Sequence, residues 1–238
     1  MNTSVSSTVR LIGAGLRALL VLTVICGVVY PLAVTGIAQA FFNDRANGSE
    51  IKDGSGRVVG SSLIGQTYNL PKKDPNDPEE EARPDLKWFQ PRPSNGLGSN
   101  SVNTQYSLIL SGATNRSADN GAVGGTCTEG AEKGTLCAQV VAAKEAVVAD
   151  NSTADHKVRP EDVPADAVTS SGSGLDPDIS PEYAKLQVHR VAEQNKLDVR
   201  QVEKLVADHT AGRTLGFLGE PRVNVLELNI ALKALSKS

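Results

Sequence analysis

After Phe42 the chain has no second uncharged run long enough to cross a membrane, so one crossing is the most it can make. It has no Gly-x-x-x-x-Gly-Lys-Ser/Thr phosphate loop, no Gly-x-Ser-x-Gly elbow and no His-Glu-x-x-His helix, which removes the commonest nucleotide, acyl-transfer and zinc-hydrolase signatures. The three histidines, His156, His189 and His209, are scattered and read as solvated or hydrogen-bonding side chains rather than metal ligands. With 24 basic against 27 acidic residues the net charge is -3, which gives no reason to expect nucleic acid. Asp176 and Asp178 are spaced to work as an acid and base, but Asp beside Pro ahead of a helix is ordinarily a turn or cap residue.

What is present begins with the apolar run from Ala18 to Phe42, which holds no charge. At about 1.5 Å rise per residue it crosses a hydrocarbon core of about 30 Å. A cleaved signal peptide is the competing reading, because Arg10 and Arg17 precede the run and Ala38-Gln39-Ala40 resembles a cleavage site. The run exceeds the usual apolar core of about 7 to 15 residues, which favours a retained anchor. Pro31 and Gly36 are tolerated within membrane spans. Arg10 and Arg17 are matched by Arg45, Lys52 and Arg57 beyond the run, so charge hardly sets orientation. A long C-terminal domain translocates largely regardless of charge, which tips the N-terminus inward.

Cys26 lies in the run and reads as a small apolar filler. Cys127 and Cys137 flank a Gly-rich stretch, and two readings stand: a disulfide, closing about eleven residues at about 2.7 kcal/mol by chain entropy, or two unrelated thiols. The expected organisation is residues 1–17 as a cytoplasmic N-terminus, 18–42 as a transmembrane helix and 43–238 as one extracytoplasmic α+β domain. Loop insertions are expected at about 68–87, dense in Pro and charge, and at 94–135, rich in Gly, Asn and Ser. A β-hairpin is expected from Glu50–Lys52 and Arg57–Ile64 around Asp53-Gly54-Ser55-Gly56. Helices are expected over Leu136–Ala149, from Ser180-Pro181 through Asn195, from the Asp198/Gln201 capping pair, and from Asn224 with Glu227.

Several short motifs follow one another in a fixed order: YPL in the span, NGS at 47–49, GSSLIGQ at 60–66, WFQPRPS at 88–94, SGATN at 111–115, SGSGLDPDISPEYA at 171–184, HRVA at 189–192 and PRVNVLELNIAL at 221–232. In combination, over nearly the whole chain, they resemble the C subunit of the Kdp potassium-transporting ATPase. Relative to the family, the 68–87 segment and the Gly-rich stretch carrying Cys127 and Cys137 look inserted, and SGATN stands where SGGSN-type sequences are commoner.

The resemblance implies a single-span anchor with its domain outside the cytoplasm, in an inner or plasma membrane. Its implied partners are a potassium-channel-like subunit and a P-type subunit that hydrolyses ATP. This chain has neither the Asp-Lys-Thr-Gly phosphorylation loop nor a Thr-Val-Gly-Tyr-Gly filter, so its expected work is binding rather than catalysis. No cofactor of its own is implied; ATP, magnesium and potassium act in the assembled complex. The family is also described as a catalytic chaperone raising ATP affinity, which makes Ser111, Gly112 and Asn115 weak candidates for a nucleotide contact. A domain outside the membrane cannot touch cytoplasmic ATP, so coupling through the complex is the preferred route.

Candidates for partner contact are the small residues Gly27, Thr35 and Gly36 with Pro31 in the span, and Trp88, Phe89, Arg92, Pro93 and Ser94 in the aromatic-RPS motif. For Arg92 and Arg190 an ion pair at an interface or in the interior stands beside an exposed turn or helix position. Asn224, Glu227 and Asn229 read first as cap and helix-surface residues and second as interface residues. A membrane-anchored hydrolase and a free-standing envelope domain are the rival classes, the first lacking any convincing triad.

Overall fold

The computed structural model describes residues 5–74, 77, 80, 83–94, 127 and 135–237. They form two compact units, residues 1–49 and 50–238.

The first unit is a helix: α1 (Val5–Val24), a π turn (Ile25–Val29), α2 (Tyr30–Phe41) and, after Phe42 breaks the helical path, a short α3 (Asn43–Ala46). Helix therefore begins well before residue 18, where the charge-free run starts. The stretch Ser7–Phe41 is long and apolar enough to cross a membrane. The π turn has a local cause. Pro31 lacks an N–H, leaving the Gly27 carbonyl without its usual partner, and its ring crowds the preceding turn. The helix widens there, so that the Tyr30 N–H donates to Ile25 five residues back. At the far end Gln39, Asn43 and Asn47 bond to one another through their side-chain amides at 3.1 to 3.5 Å.

The second unit is α+β. Its hairpin, β1 (Glu50–Lys52) with antiparallel β2 (Val58–Ser61), falls where Asp53-Gly54-Ser55-Gly56 placed the turn. Asp53 Oδ1 accepts from the Ser55 hydroxyl at 2.5 Å and from the backbone N–H groups of Ser55 and Arg57 at 2.9 and 3.2 Å. A second sheet has the order β3 (Asp178–Ile179), β5 (Arg222–Asn224), β4 (Thr210–Ala211), antiparallel throughout. The sequence reading did not include these strands, because two or three residues give no alternation to detect.

Among the described residues four α-helices complete this unit: α4 (Leu136–Asn151), α5 (Pro181–Asn195), α6 (Val199–Asp208) and α7 (Val225–Leu235). Their starts follow the cap chemistry. Ser180 Oγ accepts the Tyr183 N–H, Asp198 and Gln201 form a reciprocal capping box, and Asn224 accepts the Glu227 N–H. Val188, Val191, Val202, Val206, Leu228 and Leu232 are all buried in the common core, each such side chain contributing about 1.5–3 kcal/mol. Leu235, at the end of α7, is half-buried.

The 68–87 segment needs correcting as a wholly solvated loop. Tyr68 is buried against Trp88, ring centroids 6.3 Å apart. The segment's ends are pinned by Leu70 N–H to Arg83 and Asp85 N–H to Tyr68, both at 2.8 Å. Cys127, in the second expected insertion, is joined in a disulfide to Cys137 in the first turn of α4.

Gly60 is fixed by close approach. A Cβ there would lie 2.0 Å from Gln66 Nε2 and 2.8 Å from a Leu226 methyl, and Gln66 is buried and donates that amide to the Val59 carbonyl. Gly60→Ala should destabilise the chain by about 1–3 kcal/mol in denaturant unfolding, and by less in a Gln66→Ala background. Gly54→Ala, where a Cβ meets nothing within 4 Å, should be near neutral.

The hydrogen bonds from Ser55, aided by Arg57, hold the Asp53 carboxyl down at about 2, below its ordinary 3.8. A folded value below the unfolded one stabilises the turn above the unfolded value, a contribution lost as pH falls through about 2. A carboxyl titration followed by NMR should therefore place the Asp53 midpoint near 2; a midpoint near the ordinary value would refute the turn geometry.

Candidate functional site

The motifs separated along the chain converge on one backbone segment, residues 88–90. Asn229, on α7, clasps Phe89 from both sides: its Oδ1 accepts the Phe89 N–H and its Nδ2 donates to the Phe89 carbonyl, each at 2.9 Å. Gln187, on α5, does the same to Gln90, accepting its N–H at 2.7 Å and donating to its carbonyl at 3.1 Å. Arg190, one turn along α5, donates to the carbonyls of Leu86 and Trp88, to Asn151 Oδ1 at 2.9 Å and to Gln187 Oε1 at 2.6 Å. Asn195 adds a bond of 2.7 Å to the Lys87 carbonyl.

These side chains are interior. Asn229 and Gln187 are 0% exposed and Arg190 2%. Burial pushes the Arg190 guanidinium down to about 10, opposed by Tyr183, Asp150 and Asp85, so the group stays charged near neutral pH. The oxygens it meets are carbonyl and amide dipoles. Asp150, half-buried on α4, is raised by desolvation and drawn back by Arg190. Burial also raises Tyr183 to about 12, keeping its hydroxyl neutral.

The RPS triplet is bound differently. Arg92 Nη1 meets Asp176 Oδ2 at 3.0 Å while its Nη2 donates to the Thr169 carbonyl at 3.1 Å. The pair keeps 22% and 32% side-chain exposure, so its net value is modest. Pro93 accepts the Ser171 N–H at 2.9 Å, and the Ser94 hydroxyl donates to the Arg92 carbonyl. The turn below is organised by Ser171 Oγ, which accepts the N–H groups of Gly174 and Asp176. Leu175 in turn accepts the Gly65 N–H, joining SGSGLD to GSSLIGQ. Asp176 Oδ1 accepts the Asp178 N–H, the turn role expected of it. Beside this lies an open cleft of about 670 Å³ lined by Asp166, Asp176, Asp178, Glu182, Arg92 and Arg222, among others. Among the described residues no group of three or more His, Cys, Asp or Glu could hold a metal ion.

The expected surface roles therefore divide. Asn229 is a buried backbone clamp and not a helix-surface residue, and Arg190 is interior. Phe89, at 0% exposure, and Trp88, at 8%, present little to a partner because the same clamp turns them into the core. Asn224 caps α7 and donates to the Ser62 carbonyl at 2.9 Å, while Glu227 is exposed. Gly27, Pro31, Thr35 and Gly36 are exposed on the long helix, and a Cβ on either glycine would meet nothing within 4 Å. Ser111, Gly112 and Asn115 lie outside the described residues. Gln187 and Asn151 were missed. The signal for Gln187 was its place on the inward stripe with Ala184, Val188 and Val191, where a polar residue needs a buried partner.

The chain thus joins a helix long and apolar enough to cross a membrane to an α+β domain in which Phe89, Arg190 and Asn229, all motif residues, take part in buried clamps. Residues 12–234 match the family described as KdpC, the K+-transporting ATPase c chain, and the chain belongs to that family. It is 71% identical to the potassium-transporting ATPase KdpC subunit of Streptomyces avermitilis over 236 residues, covering 99% of this chain and 98% of that relative. The identically named protein of Streptomyces coelicolor is 64% identical over 235 residues, covering 99% and 97%. That of Mycobacterium tuberculosis H37Rv is 43% identical over 224 residues, covering 92% and 96%.

Removing the clamp leaves buried groups unpaired. Asn229→Ala strips both partners from Phe89 and should cost about 2–4 kcal/mol in unfolding of the full chain. Arg190→Lys, whose compact ammonium cannot span the acceptors, should cost about 3–5 kcal/mol. Glu227→Ala on the same helix should stay within about 0.5 kcal/mol; equal losses at Glu227 and Asn229 would refute the clamp.

Proposed function

We propose that this chain is the accessory, non-catalytic subunit of an ATP-driven potassium import complex, and that it works by assembly. The observation that carries this reading is the family match across residues 12–234, on a chain whose motif residues are used to build the buried core. The partners are a potassium-channel-like subunit and a P-type subunit that hydrolyses ATP. ATP, magnesium and potassium act there, not on this chain alone.

In this reading the long helix crosses the cell membrane once, with the N-terminus cytoplasmic and the α+β domain outside. The disulfide between Cys127 and Cys137 supports an oxidising compartment. The open notches at Gly27 and Gly36 suit close packing against partner helices. Any rise in ATP affinity is transmitted through the complex, because an outer domain is separated from cytoplasmic nucleotide by the bilayer.

Two measurements test this. Purification in mild detergent should recover the chain with two large membrane partners, and Gly27→Leu with Gly36→Leu should lower both complex recovery and potassium-stimulated ATP hydrolysis. Protease added to intact spheroplasts should digest the domain and spare the N-terminus. Recovery of the chain alone would overturn the subunit role, and protection of the domain would overturn the topology.

A further inference from the structure

Between β4 and β5 the chain leaves the sheet as an arm. Its root is the antiparallel pairing of Thr210 with Val223 and Ala211 with Arg222. Further out Arg213 Nη2 meets Glu220 Oε2 at 2.7 Å across the arm. Beyond that Thr214 and Leu218 exchange backbone hydrogen bonds, both 2.9 Å, closing a three-residue tip. The tip turns through Leu215 at φ 55° and Gly216 at φ 82°, and Gly219 follows at φ 76°. A β-branched side chain would resist the position of Leu215.

This reinforced arm presents apolar side chains to solvent: Leu215 is 78% exposed, Phe217 70% and Leu218 50%. Together they expose apolar surface on the order of a few hundred Å² within four residues. Loop tips are ordinarily polar.

The chemistry of the arm selects among occupants. An anionic lipid surface would call for unpaired cations around the apolar tip. Here Arg213 is held by Glu220, and Arg222 by Asp178 at 3.0 Å, so the arm is electrically neutral. A second copy of the chain would have to receive the tip somewhere else on its surface, and the groove of about 800 Å³ beside α7 sets Asp53, Glu227, Lys233 and Lys237 among Ile51 and Ile230, a poor match for an apolar tip. A patch of a few hundred Å² is also well below the roughly 1,600 Å² of a self-standing interface. It suffices as one anchor in a contact whose partners are already held together, since tethering raises effective concentration to about millimolar.

We infer that the 213–220 arm is a docking wedge whose Leu215, Phe217 and Leu218 enter a neutral, apolar pocket on another membrane-embedded chain of the same pump. This rests on the subunit reading above. The aromatic at the tip is the expected hot spot, and the ion pair and backbone bridge behind it fix its approach before contact, lowering the ordering cost.

The test uses the full complex in its membrane, with a photoreactive benzoylphenylalanine at position 217 and a control at Lys204 on exposed α6. Irradiation should join position 217, and not position 204, to one identified chain of the pump. In parallel, Phe217→Ser with Leu215→Ser should lower recovered complex roughly tenfold or more, while the melting temperature of the isolated full-length chain stays unchanged. Complex recovered intact with position 217 crosslinked only to lipid, to a second copy or to nothing would overturn the wedge and leave the subunit reading standing. Failure to recover any pump chain with the unmodified protein would instead remove the subunit reading itself.

Discussion

The α+β domain depends on the two-sided capture of the Trp88–Gln90 backbone by Gln187, Arg190 and Asn229. A chain passing between two helices has no ladder of its own, and its peptide groups, once buried, cost free energy unless bonded. Two side-chain amides and one guanidinium supply those bonds, each from a helix whose remaining inward positions are apolar. This joins α5 to α7 through a segment that precedes the Gln187 clamp by 97 residues and the Asn229 clamp by 140. It also directs Phe89 and Trp88 into the core, so that packing and polar satisfaction favour the same arrangement.

That arrangement explains why some of the site was legible in the sequence and some was not. The starts of α5, α6 and α7 could be read because Ser180, Asp198 and Asn224 act locally, on N–H groups two or three residues away. The hairpin turn at Asp53 was readable for the same reason. Arg190 and Asn229 were ambiguous because a polar residue on a helix is ordinarily solvated, and their acceptors lie over a hundred residues distant. The sheet was invisible for want of length. Tyr68 was hidden by the Pro-rich and charged segment that follows it, although its own ring belongs to the core.

The buried and half-buried charges of the α+β domain are committed to structure. Arg190, the most deeply buried charge among the described residues, is surrounded by fixed carbonyls and is used to hold backbone, and the half-exposed Arg92–Asp176 pair holds one turn against another. Neither arrangement leaves a proton-transfer partner free to react. The helix, by contrast, is open along its length, its π turn and two glycines breaking the smooth cylinder where a neighbouring helix could approach.

On the assembly reading proposed above, rigidity is the functional property. A subunit that acts by contact transmits nothing through a compliant body, because an interaction at one face must bias the position of another. The clamp on residues 88–90, the close-packed Gly60 and the cross-braced 213–220 arm each remove a degree of freedom that a merely soluble domain could have kept. Their common cost is buried polar groups that must all be satisfied together, which makes the domain intolerant of single substitutions at Asn229 or Arg190.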